Sequence, residues 1–566
     1  MKRIFYPTIF FLVKQWFYRY KGIPFLLIIA GCSTATIFTP YPSKINPLIE
    51  EIKTDQFDHA LNVLDRHREG KDKILYLLER GRVAQIKSDE ATSVKDYETV
   101  FSAIKILEEK AVISASDAGA ITASLLTNEN AIPYKADGYE RVFLYHFQAL
   151  NYLANKDIEG AGVEVRLANE EQKLALERHE KELLNTEKGK ERYLDIIKAN
   201  LSKQVDRSPD DKKTDKMTRT IDEISDKLKS AFQGAFGFLK SDYKKESKVI
   251  EQEKTPAEDK ELDKQLLTED KKIEEKTQEI LSTANDNLNE AYKSMDKIVS
   301  KVKNSFQNAY TFYMSGIVYE LLGKDNDAYI DYKKALEIFP ENTYLQRDVI
   351  RLAKELGILF GKEIVEQEDV VKNIPFEGNY GELVVFFEND LTPQKKEIRV
   401  QIPASDGSLA IAFPVYDADE SKDEPLLLSE GDSVLGSTEP ICYVHALAAK
   451  SLKEKTTIML IRQLLRLAVK AASREVVKEY LGETGQYFSS FYNIASERAD
   501  LRSWLTLPRD VQIMRLRLPE GAHRINLVHN ASGASSDVDV PINKNKKTIL
   551  RIIRVGKVFY TKPIVF

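Results

Sequence analysis

Cysteine is nearly absent from this chain: Cys32 and Cys442 are the only two in 566 residues. Two thiols cannot build the disulfide framework of a small secreted scaffold. No Cys-x-x-Cys or His-Glu-x-x-His spacing offers a zinc site, and the seven histidines are scattered, with His59 and His67 eight apart. An excess of either charge is lacking too, with 83 Lys plus Arg against 88 Asp plus Glu and a net charge of −5. That balance argues against a chain built mainly to hold nucleic acid. No apolar run approaches the series of about 20-residue spans of a polytopic membrane protein. A glycine-rich phosphate loop is missing as well, so neither a metal nor a cofactor is expected. What is present is a hydrophobic share of 43% beside a charged share of 30%, enough for real cores next to an unusually charged remainder. At roughly 150 residues per domain the length suggests three to four structural units.

The N-terminus carries an address. Lys14 to Lys21 is a basic, aromatic segment, and Ile23 to Ala30 is a short apolar run ending at Gly31-Cys32. The run is too short to span a bilayer and reads as a signal peptide. Ile29-Ala30-Gly31-Cys32 matches the lipobox of bacterial lipoproteins, in which small residues fit the signal peptidase and the thiol accepts a diacylglycerol. Acyl chains contributing roughly 0.8 kcal/mol per buried methylene make a stable anchor without a transmembrane helix. Ser33, rather than Asp, follows the cysteine, which favours the outer membrane over retention at the inner one. A second apolar stretch, Ile4 to Val13, makes the leader long, and a translation start near Val13 would leave an ordinary one. Cys442 then remains as the only thiol and is expected to be a small buried hydrophobe.

The most informative stretch is Phe312 to Pro340. Phe312, Gly316, Tyr319, Gly323, Ala328, Tyr332, Ala335 and Pro340 fall at offsets 0, 4, 7, 11, 16, 20, 23 and 28, the key positions of the tetratricopeptide repeat. Two antiparallel helices cross closely in such a unit, so Gly316 and Ala328 must be small while the aromatic residues fill gaps to the next unit. Weaker copies run through Leu77, Gly81, Ala84, Ser88, Ser93 and Tyr97, and through Tyr145, Ala149, Tyr152, Lys156, Ala161, Val165 and Ala168. Phe57, Ala60 and Leu64 suggest a half unit before both. Generic amphipathic helices remain the competing reading of the weak copies.

Between about 172 and 285 the chain is dense in charged residues, with the two signs in near-equal numbers, a charged helical or disordered insertion. Within it Ile221, Ile224, Leu228, Phe232, Phe236 and Leu239 are spaced 3, 4, 4, 4 and 3, one apolar helical stripe expected to fold back on the repeats, with a partner or the membrane surface as other destinations. After Gly361 the pattern turns to period two: Ile398, Val400 and Ile402, then Leu409, Ile411, Phe413 and Val415, alternate with polar or small residues. Helical patterning returns over 441–495, and strands resume from Val511. Pro519-Glu520-Gly521 reads as a hairpin turn. The expected fold class is therefore mixed: an N-terminal tetratricopeptide-like α-helical solenoid followed by a C-terminal β-sandwich of about seven strands with an inserted helical pair. The divisions are 1–31 signal peptide, 32–48 lipidated tether, 49–171 helical repeats, 172–285 charged insertion, 286–360 repeat and flanking helices, 361–440 first β half, 441–509 helical insertion and 510–566 second β half.

Several stretches carry a resemblance: Asp72 to Gly81, Asp137 to Arg141, Leu345 to Asp348, Ala412 to Tyr416 and, most specifically, Glu497 to Pro508. On these residues the mature chain resembles a family of bacterial outer-membrane lipoproteins with tetratricopeptide repeats and no assigned activity. Their genes tend to sit beside that of a lipoprotein activator of a peptidoglycan synthase. The resemblance implies work in the cell envelope and nothing more specific. This chain departs from the family in its long leader and longer Lys/Glu-rich insertion.

Chemistry is sparse. Ser294 to Lys297 and Ser300 to Lys303 fit a Ser-x-x-Lys pattern, as chance provides in a lysine-rich helix, and the companion Lys-Thr-Gly motif is lacking. Arg498 to Trp504 offers Arg and Trp as binding anchors, but it also reads as a structural corner in which Asp500 pairs with Arg498 or Arg502 and Trp504 packs helices onto the sheet. No catalytic residue is assigned. The favoured expectation is a non-enzymatic scaffold on the periplasmic face of the outer membrane, its concave repeat face gripping an envelope protein or peptide through Tyr310, Tyr313 and Ile317. The alternative is an enzyme or direct regulator of peptidoglycan synthesis with a site in the C-terminal domain.

Overall fold

A computed structural model describes residues 39–114, 130–178, 292–358, 379–417, 423–456 and 498–566, apart from isolated positions within them, together with 459 and 463. Cys32 with its leader, the stripe from Ile221 to Leu239 and much of 441–509 lie outside the described residues. The fold is mixed, with helices in the N-terminal part and strands in the C-terminal part. No helix among the described residues is long and apolar enough to cross a membrane.

The helices come in antiparallel pairs joined by the same turn. They are α1 (Tyr41–Lys53), α2 (Phe57–Asp65), α3 (Lys73–Ile86), α4 (Glu90–Ser114), α5 (Gly138–Ala154), α6 (residues 158–175), α7 (Ala309–Leu321), α8 (Asp325–Ile338) and α9 (Thr343–Glu355). The odd-numbered ones end at Asp55, Ser88, Lys156, Gly323 and Gly357, all left-handed with φ between 61° and 67°. After each, the next N–H reaches back five residues, from Gln56 to Glu51, Asp89 to Ala84, Asp157 to Tyr152, Lys324 to Tyr319 and Ile358 to Ala353, at 2.8–2.9 Å. This is the Schellman bond, which satisfies carbonyls that the helix end would orphan. Ser88, Lys156 and Gly323 stand at the same offset in the three copies read from the sequence. Asp55 shows that the expected half unit is a whole pair.

Close approach within the pairs is real. A Cβ at Gly316 would lie 2.3 Å from the Tyr332 ring, and one at Gly81 would lie 2.5 Å from Tyr97. Both glycines precede their tyrosine by 16 positions.

The tether is shorter than expected. Pro42 sits in the first turn of α1, where a missing N–H costs nothing, and Tyr41, Ile45, Leu48 and Ile52 recur at helical spacing and are buried. Residues 41–48 therefore belong to the packed core.

Eleven strands are described. A five-stranded sheet has the order β11 (Val558–Val565), β10 (Lys547–Val555), β1 (Tyr380–Leu391), β7 (Pro508–Pro519) and β6 (Glu439–Cys442), with only β1 and β10 parallel. A four-stranded antiparallel sheet has the order β5 (Ser433–Ser437), β4 (Leu427–Glu430), β8 (Gly521–His529) and β9 (Ala534–Ile542), and β2 (Lys396–Ala404) pairs with β3 (Gly407–Val415). Between β6 and β7 the described residues form a helix, α10 (residues 444–456), and an extended strap over 498–507, so the end of the expected helical insertion is not helical. β7 and β8 lie in different sheets, which makes Pro519-Glu520-Gly521 a corner rather than a hairpin. β7 pairs with β1 along its whole length and with β6 over residues 511–513, while β8 pairs with β4 and β9 in the other sheet.

Strand β1 is buried on both faces, as a strand beside a parallel neighbour often is. Leu383, Val385 and Phe387 join Met514 of β7 and Leu428, Ile525 and Val540 of the four-stranded sheet in one apolar cluster. Val384 and Phe386, on the other face, join a larger cluster that runs through all the helical pairs. The helices and the five-stranded sheet thus share one core.

Gly316→Ala and Ala328→Leu should each cost about 1–3 kcal/mol, the usual penalty of overpacking, because Tyr332 is pinned by its hydroxyl bonds to Glu320 and Arg515 and cannot swing aside. Urea unfolding at wild-type midpoints for both variants would refute the close approach.

Candidate functional site

Asp72 to Gly81 and Asp137 to Arg141 meet the segment that leads to Pro508, whereas Leu345 to Asp348 lies elsewhere, with Asp348 on Arg515. The strap over 498–507 is held by carboxylates from two helices. Glu79 of α3 accepts the backbone N–H of Leu505 (2.7 Å) and of Thr506 (2.9 Å), the Thr506 hydroxyl (2.5 Å) and the Tyr41 hydroxyl (3.1 Å). Glu140 of α5 accepts the N–H of Trp504 (2.8 Å), that of Asp137 at its own helix start (2.8 Å) and the Tyr134 hydroxyl (2.5 Å). Burial pushes Glu79 up to about 7 while its donors pull the other way. Burial, then the neighbouring Asp137, raises Glu140. Arg502 completes the strap, bonding Asp72 at 2.6 Å and Asp500 at 2.7 Å. Trp504 is fully buried, edge-on to Tyr97 and Phe147. Arg498 to Trp504 is therefore the structural corner, with Arg502 and Trp504 spent inside the fold.

The expected groove is not open. Tyr310, Tyr313 and Ile317 are fully buried: both tyrosine rings stand edge-on to Phe386 of β1, the Tyr310 hydroxyl donates to Glu388 and the Tyr313 hydroxyl to Asp348. The chain's own sheet occupies the face that the sequence offered to a partner. Apolar and aromatic residues on the concave side of a helical array need a cover, and a sheet on the same chain is available at high effective concentration. Phe312, Tyr319, Ala328, Tyr332 and Ala335 are buried, while Pro340 is exposed just beyond α8.

Two charged clusters are sealed between helices and sheet. In the first, Glu388 of β1 bonds Arg82 of α3 and Arg551 of β10, and the Gln85 carbonyl oxygen accepts from both arginines. Burial alone would raise Glu388, but Arg551 and Arg82 hold it down at about 2. His146 beside them is pushed down to about 3 by burial, opposed by Glu388 and reinforced by Arg551 and Arg82. Its Nδ1 lies 3.2 Å from the Thr311 hydroxyl and its Nε2 is buried without a partner. In the second cluster Arg515, Arg351 and Lys547 meet Glu320, Asp348 and Glu382, and despite burial Glu320 and Glu382 are held well below the usual carboxylate range by these cations. Arg82, Glu388, Arg551, Arg515 and Lys547 were not singled out in the sequence, whereas Glu79, Glu140, Arg502 and Asp348 lie in the stretches that carried the resemblance and Glu320 lies between Phe312 and Pro340.

One cleft of about 480 Å³ opens beside the first cluster, between the C-terminal ends of α3 and α5 and strands β10 and β11. A more open groove of about 630 Å³ runs between α1 and residues 392–394. Cys442 is buried, and burial pushes its thiol far up, the environment of an inert packing residue. Ser300 is exposed and donates to the Lys297 carbonyl, while Ser294 lies outside the described residues. Among the described residues no three His, Cys, Asp or Glu side chains cluster as metal ligands. No family model, curated protein or solved structure matches the chain.

Glu79→Gln should destabilise the fold by about 1–3 kcal/mol, because both carboxylate oxygens accept backbone N–H groups and either amide flip turns an NH2 toward a donor; chemical denaturation measures it, and a neutral result would sink the strap's role. The histidine gives a pH test. Its folded value is depressed, so below about 6.5 the unfolded chain takes up a proton that the folded one refuses, and stability is lost as pH falls toward 3 at up to about 1.4 kcal/mol per unit. In urea melts at pH 6, 5 and 4, His146→Phe should lose less stability than wild type by that slope, and parallel curves would refute a neutral buried imidazole.

Proposed function

We propose that the chain is an outer-membrane lipoprotein anchored through Cys32, facing the periplasm, that serves cell-envelope assembly as a non-enzymatic scaffold. On this reading its helical pairs are tetratricopeptide-like units and its two larger sheets form a β-sandwich that the units wrap. The observation that carries it is the recurrence of one Schellman turn after every odd-numbered helix, at Asp55, Ser88, Lys156, Gly323 and Gly357, with Gly81 and Gly316 meeting their tyrosines alike. Repeated units of this kind bind proteins in known architectures. Because the inner face is filled, the scaffold binds through its outer faces.

The short lead to the core fits an anchored protein. Cys32 precedes Tyr41 by nine residues, and at 3.3–3.6 Å per residue that chain reaches at most about 30 Å. A partner therefore has to come to the membrane surface.

Cys32→Ala should leave an unprocessed precursor or release the protein from the outer membrane, read by fractionation and by mass spectrometry of the N-terminus. A variant still processed and still sedimenting with that membrane overturns the anchor. Turnover of cell-wall substrate by the purified mature chain would replace the scaffold with an enzyme of peptidoglycan assembly.

A further inference from the structure

Beneath the 480 Å³ cleft, buried cations outnumber the carboxylates that face them. In the cluster around Arg515 three cations face three carboxylates, and Arg502 has Asp72 and Asp500. The cluster around Glu388 holds two arginines and one carboxylate, all three buried, with His146 neutral. The polar groups that might offset the surplus are already committed. Gln85 gives its NH2 to the Phe147 carbonyl and to Asn151, and Asn151 gives its own to Ser93 and Gln148. Tyr310 donates to Glu388 and so adds no negative charge.

A buried, uncompensated cation is costly and is found where something else supplies the anion. Arg551 is that cation's outlet. Its Nε bonds Glu388 and one terminal nitrogen bonds Gln85, while Nη1 has no hydrogen bond among the described residues, and the side chain, more than nine-tenths buried, lines the cleft. Beside it the lining includes Gln85 and Asn151, and an apolar part of the wall is formed by Ile549, Ile553, Leu150, Leu153 and Phe559. At the rim Lys87 is paired with Asp58 and Lys562 with Glu90, and Asp55 faces solvent. The volume lies in the range of small-molecule pockets, which combine apolar walls with a few placed polar groups.

We propose that this cleft binds an anionic amphiphile: an oxyanion head, carboxylate or phosphate monoester, on the free edge of Arg551, with an apolar chain along the wall toward Ala154. A planar guanidinium suits either oxyanion. The site goes beyond the scaffold reading and does not depend on it.

Isothermal titration of the full mature chain in a nonionic detergent, with the detergent blank subtracted, tests the site using octanoate, octyl phosphate, 1-octanol and acetate. One equivalent of octanoate or octyl phosphate should bind, and the tighter of the two identifies the head group. 1-Octanol, which lacks the charge, and acetate, which lacks the chain, should bind at least tenfold more weakly. Arg551→Gln leaves Arg82 and Glu388 as a matched pair and should weaken binding at least tenfold. Ala154→Phe fills the cleft without touching the charged floor and should do the same, so it decides alone if the first variant fails to fold. Binding of neither anion, equal binding of acetate and octanoate, or binding undiminished by Ala154→Phe overturns the proposal.

Discussion

The carboxylate of Glu388 ties this fold together. It stands on the central strand β1, fully buried, and reaches Arg82 of the third helix, Arg551 of the neighbouring parallel strand and the Tyr310 hydroxyl of the seventh helix. A desolvated carboxylate is tolerated only where cations and donors satisfy its lone pairs. Each partner that it requires comes from a different element, so satisfying it fixes the register of helices against sheet. The apolar residues around it, Val384 and Phe386, supply the burial that drives closure. The carboxylate decides which closed arrangement is allowed.

The strap applies the same logic to irregular backbone. Residues 498–507 have no strand partner to receive their N–H groups, and a buried N–H without an acceptor costs about as much as a lost hydrogen bond. Glu79 and Glu140 provide those acceptors from helical positions. Side-chain carboxylates thus replace the missing ladder and lead the chain into β7.

Local spacing made much of the helical part legible. Gly316 and Gly81 were singled out by their offsets, but Tyr332 and Tyr97 pack on the glycines of their own helix pairs rather than filling gaps to a next unit, and Ser88 and Lys156 share the left-handed turn of Gly323. Long-range pairing was not legible. Arg82 and Glu388 are 306 positions apart and Glu79 and Thr506 are 427 apart, and neither period nor composition links such residues. The edge strand β11 was missed because Pro563 breaks its pattern, which an edge position tolerates. The aromatic face at Tyr310 and Tyr313 was read as a groove for a partner and is instead covered by the chain's own sheet, because periodicity identifies an apolar face without saying what covers it.

That cover shapes how the molecule meets others. The sheet lies against the helices through apolar contacts and through a cluster in which Arg515, Arg351 and Lys547 face Glu320, Asp348 and Glu382. Buried ion pairs contribute more to selecting one arrangement than to net stability. A foreign chain that displaced the sheet would have to present two cations and one anion at the places of Arg515, Lys547 and Glu382, or leave Glu320, Asp348 and Arg351 desolvated and unpaired. It would also compete with a segment already tethered at high local concentration. Both terms disfavour exchange, so the inner face of these helical pairs works as a core, and recognition is left to the outer helix faces and to the cleft where the charge match fails.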